Sequence, residues 1–212
     1  MSDVFFISGL PRSRTSWLAN LLTAECAWSR QRSICLHDAS KDCGGVDGLA
    51  EVFGRLNGSP ACAANRTALD FVGNSDSGLI FAWPELHQRW PEARLVLVLR
   101  NHQEARRSWE RYFGAHPYVN MPHLNEELAD MSWGNMCRAV LQMEEGWPPG
   151  QLLAVPFEAL EFETTVRRVW GFCLPGMEWN QARWELLNQL RINPASEKIA
   201  LNLERVKSWV TT

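Results

Sequence analysis

The stretch "FFISGLPRSRTSWLANLL" (Phe5 to Leu22) decides the fold. Val4 to Ile7 is a short apolar run rich in β-forming residues, closed by Ser8-Gly9. Thr15 to Thr23 carries Trp17, Leu18, Leu21 and Leu22 at helical spacing. Between them stands a turn with Gly9, Pro11, Arg12, Ser13 and Arg14. A strand, a glycine-containing loop and a helix in that order present unpaired backbone N–H groups and the positive end of a helix dipole, which together hold a phosphate or sulfate. The plainer alternative is a solvated arginine-rich turn that caps its helix with a Ser or Thr hydroxyl.

Outward from this stretch, the same alternation continues. Ser33 to Leu36 reads as a second strand, ending in His37-Asp38 before the loop "KDCGGVDG", and Ala68 to Val72 as a third, ending in "GNSDSG". Val46 to Leu56 and Pro84 to Trp90 carry helical stripes, with a Gly/Pro-rich loop from Asn57 to Asn65. "RLVLVLR" (Arg94 to Arg100) is a continuous apolar run, as expected of a strand covered on both faces of a parallel sheet. His102 to Phe113 is amphipathic, Gly114 to Asn125 is an aperiodic loop with two prolines, and Leu128 to Glu144 is helical again. "LLAVPF" (Leu152 to Phe157) adds another strand, followed by helices at Phe162 to Phe172, Gln181 to Gln189 and Ser196 to Trp209. The pattern predicts an α/β fold, three layers (α/β/α) around a mainly parallel central sheet with right-handed crossovers. Ligands bind such sheets beyond the carboxyl ends of the strands.

A chain of 212 residues, 46% hydrophobic, can bury a full core, and a single domain over residues 1–212 is expected. Its net charge of −3 lacks the basic excess that non-specific nucleic-acid binding demands, so an anion site must be a local pocket. The six cysteines form no CxxC pair and fit reduced thiols. No basic segment precedes the first apolar run and no uncharged run approaches 18 residues, which points to a soluble, cytoplasmic protein. The eleven Trp are spread from Trp17 to Trp209 and read as packing residues rather than a binding platform.

A nucleotide triphosphate loop requires G-x-x-x-x-G-K-[ST], whereas this chain reads G-L-P-R-S-R-T-S from Gly9. Arg14 replaces the second glycine and Thr15 the lysine, which removes the group that reaches the terminal phosphates and disfavours an ordinary ATPase or kinase. Arg12 remains as a bidentate oxyanion donor, beside the hydroxyls of Ser13, Thr15 and Ser16. A second cation, Arg100, closes the strongest strand, with Ser108 eight residues on inside the next helix. Two anion features on one sheet rim describe a ligand with two separated phosphate-like groups.

"GLPRSRTSWL" followed by "RNHQEARRS" resembles the nucleotide-binding signature of the sulfotransferase family, within the P-loop NTPase-like class of folds. The resemblance implies that Gly9, Pro11, Arg12, Ser13, Arg14, Thr15 and Ser16 surround the 5′-phosphosulfate of 3′-phosphoadenosine 5′-phosphosulfate (PAPS), and that Arg100 and Ser108 hold its 3′-phosphate. It extends to "WPEARLVLVLRN" and "LLAVPFEALEFETTVRRVWGF", covers roughly Val4 to Phe172, and is similar to small members from bacteria and their phages. Family loops read PRSGT or PKSGT, so Arg14 sits at the glycine, where it either crowds the donor or adds a cation. The C-terminal Arg-Lys-Gly element of cytosolic animal members is missing, which leaves adenine binding unassigned, with Ser196 to Lys207 a substitute.

Metal-independent transfer of the sulfuryl group to a hydroxyl or amine needs in-line geometry, charge stabilisation and a base for the acceptor. Three candidates stand where the second and third strands end: Asp38, Asp76 and His37. Asp38 resembles the placement of the Glu in protein-tyrosine sulfotransferases, and Asp76 that of the His in cytosolic members. An Asp is a weak base unless burial raises its pKa, and "GNSDSG" has a plainer reading as a tight turn. Cys35, His37 and Cys43 lack a fourth ligand at zinc spacing, and His116 and His123 fall in the aperiodic loop. Two other functions stay open: a nucleotide or metabolite kinase with a degenerate loop, and a non-catalytic nucleotide-binding protein in which Arg14 has ended turnover. Acceptor, partners and oligomeric state are not legible, because acceptor pockets are built from variable loops.

Overall fold

The computed structural model describes residues 3–25, 31–58, 69–113 and 126–189. Strand β1 (Asp3–Gly9) lies inside a six-stranded sheet, followed by helix α1 (Thr15–Leu22) and a two-residue strand β2 (Ala24–Glu25). After β3 (Arg32–His37) come the short α2 (Ala39–Asp42) and α3 (Val46–Gly58). Strand β4 (Phe71–Ser75) leads through a 3-10 helix (Ser77–Phe81) into α4 (Trp83–Arg89). Strand β5 (Arg94–Leu99) is followed by α5 (His102–Phe113) and α6 (Glu126–Gly146), and β6 (Leu152–Pro156) by a 3-10 helix (Phe157–Glu161). Helices α7 (Glu163–Cys173) and α8 (Gln181–Gln189) complete the described elements.

The sheet order is β2-β3-β4-β1-β5-β6, with every pair parallel except β2–β3. Period-two alternation sends Phe5, Ile7, Val96 and Val98 to one face, where they pack with α1, α7 and α8. Phe6, Val72, Leu95 and Leu97 go to the other, against α3, α4, α5 and α6. That is why β5 reads as an unbroken apolar run: both of its faces are covered. Full burial of each large apolar side chain is worth about 1.5–3 kcal/mol, and β1 alone buries Phe5, Phe6 and Ile7 completely.

The third strand runs later than Ala68 to Val72, because "GNS" belongs to the sheet and not to a loop. Gly73 pairs with Phe5 across β1–β4, and a Cβ on it would stand 2.3 Å from the Phe5 ring. The glycine makes room for an aromatic rather than starting a turn. Asn74 and Ser75 stay in the strand because their polar atoms find local partners: the Asn74 Oδ1 accepts from the Ala39 N–H (3.3 Å) and the Ser75 hydroxyl donates to the Thr15 carbonyl (2.8 Å). The segment expected as a loop after His37 contains α2, and the last strand stops at Pro156, so Phe157 opens a 3-10 turn. Ala68, the loop expected from Gly114 to Asn125 with His116 and His123, and the helix expected at Ser196 to Trp209 lie outside the described residues, as does the loop expected at Asn57 to Asn65 beyond Gly58, where α3 ends.

The chain leaves β1 toward β3 and leaves β5 toward β6, so the segments after these two adjacent strands diverge. A crevice at the carboxyl edge of β1 and β5 is the expected ligand position.

Candidate anion and acid–base site

The loop after β1 begins with a close approach. Gly9 has φ +152°, and a Cβ there would lie 2.4 Å from the Val98 carbonyl oxygen. Only glycine lets β1 and β5 meet at the point where the loop turns away. The loop then takes two left-handed residues, Arg12 (φ 71°) and Arg14 (φ 59°). Asp38 (φ 55°) is the remaining non-glycine residue with positive φ among those described, so all three fall in the candidate site. Backbone strain of this kind costs about 1–3 kcal/mol per residue and persists where surrounding structure enforces it.

Arg14 is the N-cap of α1, makes no side-chain cap bond, and no acidic residue occupies the first turn. The capping alternative for the Ser and Thr hydroxyls is therefore not realised, and the helix start keeps its positive dipole end uncompensated. Ser13 is fully buried and its Oγ has no hydrogen-bond partner among the described residues. Leu10, Pro11 and Thr15 are buried around it. A buried hydroxyl without a partner beside bare helix amides is the feature an oxyanion would satisfy.

Arg14 points away from that cradle. Its Nη2 donates to Glu161 Oε1 at 3.2 Å, its Nη1 reaches the Leu160 carbonyl at 3.5 Å, and its guanidinium lies 5.3 Å from the centre of the Phe157 ring. The side chain standing where the resembling loops carry glycine thus ties the loop to the turn after β6, beside the ring that Arg100 also contacts.

Arg100 follows β5 at the same edge of the sheet. Its Nη1 donates to the Arg12 carbonyl, and its guanidinium lies 4.0 Å from the centre of the Phe157 ring. Burial lowers its pKa from the ordinary value, with Arg12 and Arg111 adding repulsion against the attraction of Glu104 and Glu158. Ser108 is half-buried on α5.

The acid–base group lies at the ends of β3 and β4. Asp38 and Asp76 are brought together by Lys41, whose Nζ stands 3.2 Å from Asp38 Oδ1 and 3.1 Å from Asp76 Oδ1. Asp76 is completely buried and its oxygens are committed: Oδ1 accepts from the Gly78 N–H (2.6 Å) and Oδ2 from the Ser40 hydroxyl. It caps the following 3-10 helix, which is the plain turn reading of "GNSDSG" shifted by the longer strand. Burial alone would raise the Asp76 pKa, but Lys41, Ser40 and the Gly78 amide outweigh it and hold the carboxyl below its ordinary value. Asp38 goes the other way: burial raises its pKa to about 6, helped by the Asp76 charge and opposed by Lys41. For Lys41, burial pulls down but the two carboxylates pull further up.

His37 links the two halves of the site, with Nε2 2.8 Å from Ser16 Oγ and Nδ1 3.6 Å from Asp38 Oδ2. Among the described residues no three His, Cys, Asp or Glu side chains gather to hold a metal ion, and Cys35 lies buried in β3. Lys41, Ser40 and Phe157 escape sequence reasoning: the first two act through a four-residue helix too short for periodicity, and Phe157 through a neighbouring strand.

Fold and site define a P-loop-like α/β protein with an anion cradle at the β1–α1 turn. No protein-family model matches the sequence, and no curated protein is significantly similar to it. Among solved structures, a sulfotransferase from Alicyclobacillus acidocaldarius superposes with a TM-score of 0.56 at 14% identity, covering 100% of this chain and 96% of that one. The fold is that of the sulfotransferases. Mouse sulfotransferase SULT7A1, complexed with 3′-phosphoadenosine 5′-phosphate (PAP), gives 0.49 at 14% identity over 89% of this chain and 63% of that one. Shikimate kinase from Bacteroides thetaiotaomicron gives 0.39 at 10% identity over 90% and 99%.

Proposed function

We propose that this protein is a sulfotransferase that moves the sulfuryl group of PAPS to a hydroxyl or amine of an acceptor in the cytoplasm. The observation that carries the reading is the cradle: an uncapped helix N-terminus, the buried Ser13 hydroxyl with no partner among the described residues, and Arg100 bonded to the loop backbone from the end of β5. The residues fit the donor's two anionic ends. Around the 5′ end stand Arg12, Ser13, Thr15, Ser16 and the amides following Gly9 and Pro11; toward the 3′-phosphate stand Arg100, whose buried Nε has no hydrogen-bond partner among the described residues, and Ser108.

When bound, PAPS supplies an activated sulfuryl group attached to a phosphate leaving group. The work of the chain is then positioning and charge stabilisation. Arg12 and the α1 dipole neutralise the leaving oxygen, so the transfer is proposed to run without a metal. The Ser13 and Thr15 hydroxyls donate to the 5′ group. Asp38 accepts the acceptor's proton, for its pKa is raised toward neutrality while one face remains open to solvent. Asp76, saturated and held ionised, adds its charge to the burial that raises Asp38 rather than taking a proton itself.

Calorimetry with PAP, compared with ATP plus magnesium, tests the reading. Magnesium-independent PAP binding, lost in Arg100→Ala, supports it, and a clear ATP preference would sink it in favour of a kinase. PAP binding without turnover across a broad acceptor panel would leave a non-catalytic nucleotide-binding protein.

A further inference from the structure

The parallel register of β5 and β6 pairs Leu99 with Pro156. The residues that follow the two strands, Arg100 and Phe157, therefore emerge side by side at the carboxyl edge of the sheet. Phe157 is partly buried against the core beneath α1 and α7. Its ring lies 4.0 Å from the Arg100 guanidinium carbon and 5.3 Å from that of Arg14, both within cation–π range. Arg100 has no carboxylate within ion-pair distance among the described residues: Glu104 and Glu158 attract it from further off, and its close contacts are this ring and the Arg12 carbonyl. A carboxylate would hold the guanidinium by its N–H edge and neutralise it. An aromatic face holds the guanidinium from above and, apart from the Nη1 that the Arg12 carbonyl takes, leaves its N–H groups and its charge available to an anion; the buried Nε has no hydrogen-bond partner among the described residues.

We propose that Phe157 is a positioning residue for the second anion subsite: its ring, set beside Arg100 by the β5–β6 register, orients that guanidinium without neutralising it and so gives the site its preference for a nucleotide carrying a 3′-phosphate. The proposal rests on the sulfotransferase reading above and names which part of the donor the ring serves. Phe157 acts through Arg100, and its effect is confined to ligands that use Arg100.

Affinities of PAP and of adenosine 5′-phosphate, which lacks the 3′-phosphate, test this by calorimetry, the weaker nucleotide being measured by competition against PAP. The Phe157→Leu variant is expected to lose about 3- to 30-fold in PAP affinity, the range of a partly desolvated cation–π contact. Its affinity for adenosine 5′-phosphate should stay within about twofold of wild type, and Phe157→Tyr should retain both. Phe157→Met, equally apolar and flexible, serves in place of the leucine variant if that one melts early. Equal losses for both nucleotides overturn the proposal, because the ring would then serve the base or the fold as a whole. Undiminished PAP affinity overturns it as well. A wild-type protein that binds neither nucleotide refutes the sulfotransferase reading and this inference with it, whereas wild-type PAP binding with no loss of selectivity in the variants refutes the inference alone.

Discussion

Replacing Asp38 by Asn should stabilise the protein while slowing the proposed reaction. The Asp38 carboxyl has a folded-state pKa of about 6 against an ordinary value of 3.8, chiefly because burial penalises its charged form. Between those two values the folded protein holds a proton that the unfolded chain has released. Stability therefore falls as pH rises through that window and stays reduced above it. Each pH unit is worth about 1.4 kcal/mol, so the full penalty at neutral pH would be about 3 kcal/mol. The side chain is 29% exposed, and solvent screening brings the expected figure down to about 1–2 kcal/mol. Asn reproduces the neutral form and tolerates the left-handed backbone at this position, while Lys41 keeps Asp76 as its partner. For a chain of 212 residues this corresponds to a Tm about 3–6 °C higher near pH 7.5. Thermal melts of wild type and Asp38→Asn from pH 3.5 to 8 measure it, and the gain should vanish below about pH 4, where both proteins are neutral at this site. Loss of the base should lower turnover by about 10²–10⁴-fold. A Tm gain that persists at pH 3.5, or none at pH 7.5, refutes the account of Asp38.

Other substitutions probe the remaining parts of the site. Arg14→Gly relieves the left-handed strain and gives up an exposed ion pair worth about 0–1 kcal/mol, so its Tm should move little and PAP affinity should remain; a tenfold affinity loss would show that Arg14 does reach the donor. Asp76→Ala removes a buried acceptor of the Ser40 hydroxyl, the Gly78 amide and Lys41, and should cost about 3–5 kcal/mol in urea unfolding, with little or no loss counting against its structural role. Gly9→Ala forces a Cβ to within 2.4 Å of the Val98 carbonyl and should abolish soluble expression; a soluble variant with wild-type far-UV circular dichroism would contradict the packing of β1 on β5.

Periodicity is a local signal, and it was enough for the layers. "FFIS" and "RLVLVLR" mark strands because a strand covered on both faces has no polar position to break the run, and the amphipathic stripe from His102 to Phe113 coincides with α5. The loop after β1 was legible too, since strand, glycine and helix start are contiguous in the chain. "GNSDSG" misled, because Gly73 looks like a turn until the Phe5 ring on the neighbouring strand is placed over it. Where Arg14 points is equally beyond sequence, for it depends on Leu160 and Glu161, more than a hundred residues away.

What the sequence determined by itself is the α/β alternation and the strand–glycine–helix order of the loop after β1, because helical and extended periods and loop chemistry are set by near neighbours. Tertiary structure decided the division of labour within the site. Which of Asp38 and Asp76 is saturated by Ser40, Gly78 and Lys41 depends on contacts between separate elements, and the setting of Arg100 depends on a ring from the 3-10 turn after β6. Burial, and the distances between charges from separate strands, exist only once the sheet has been assembled.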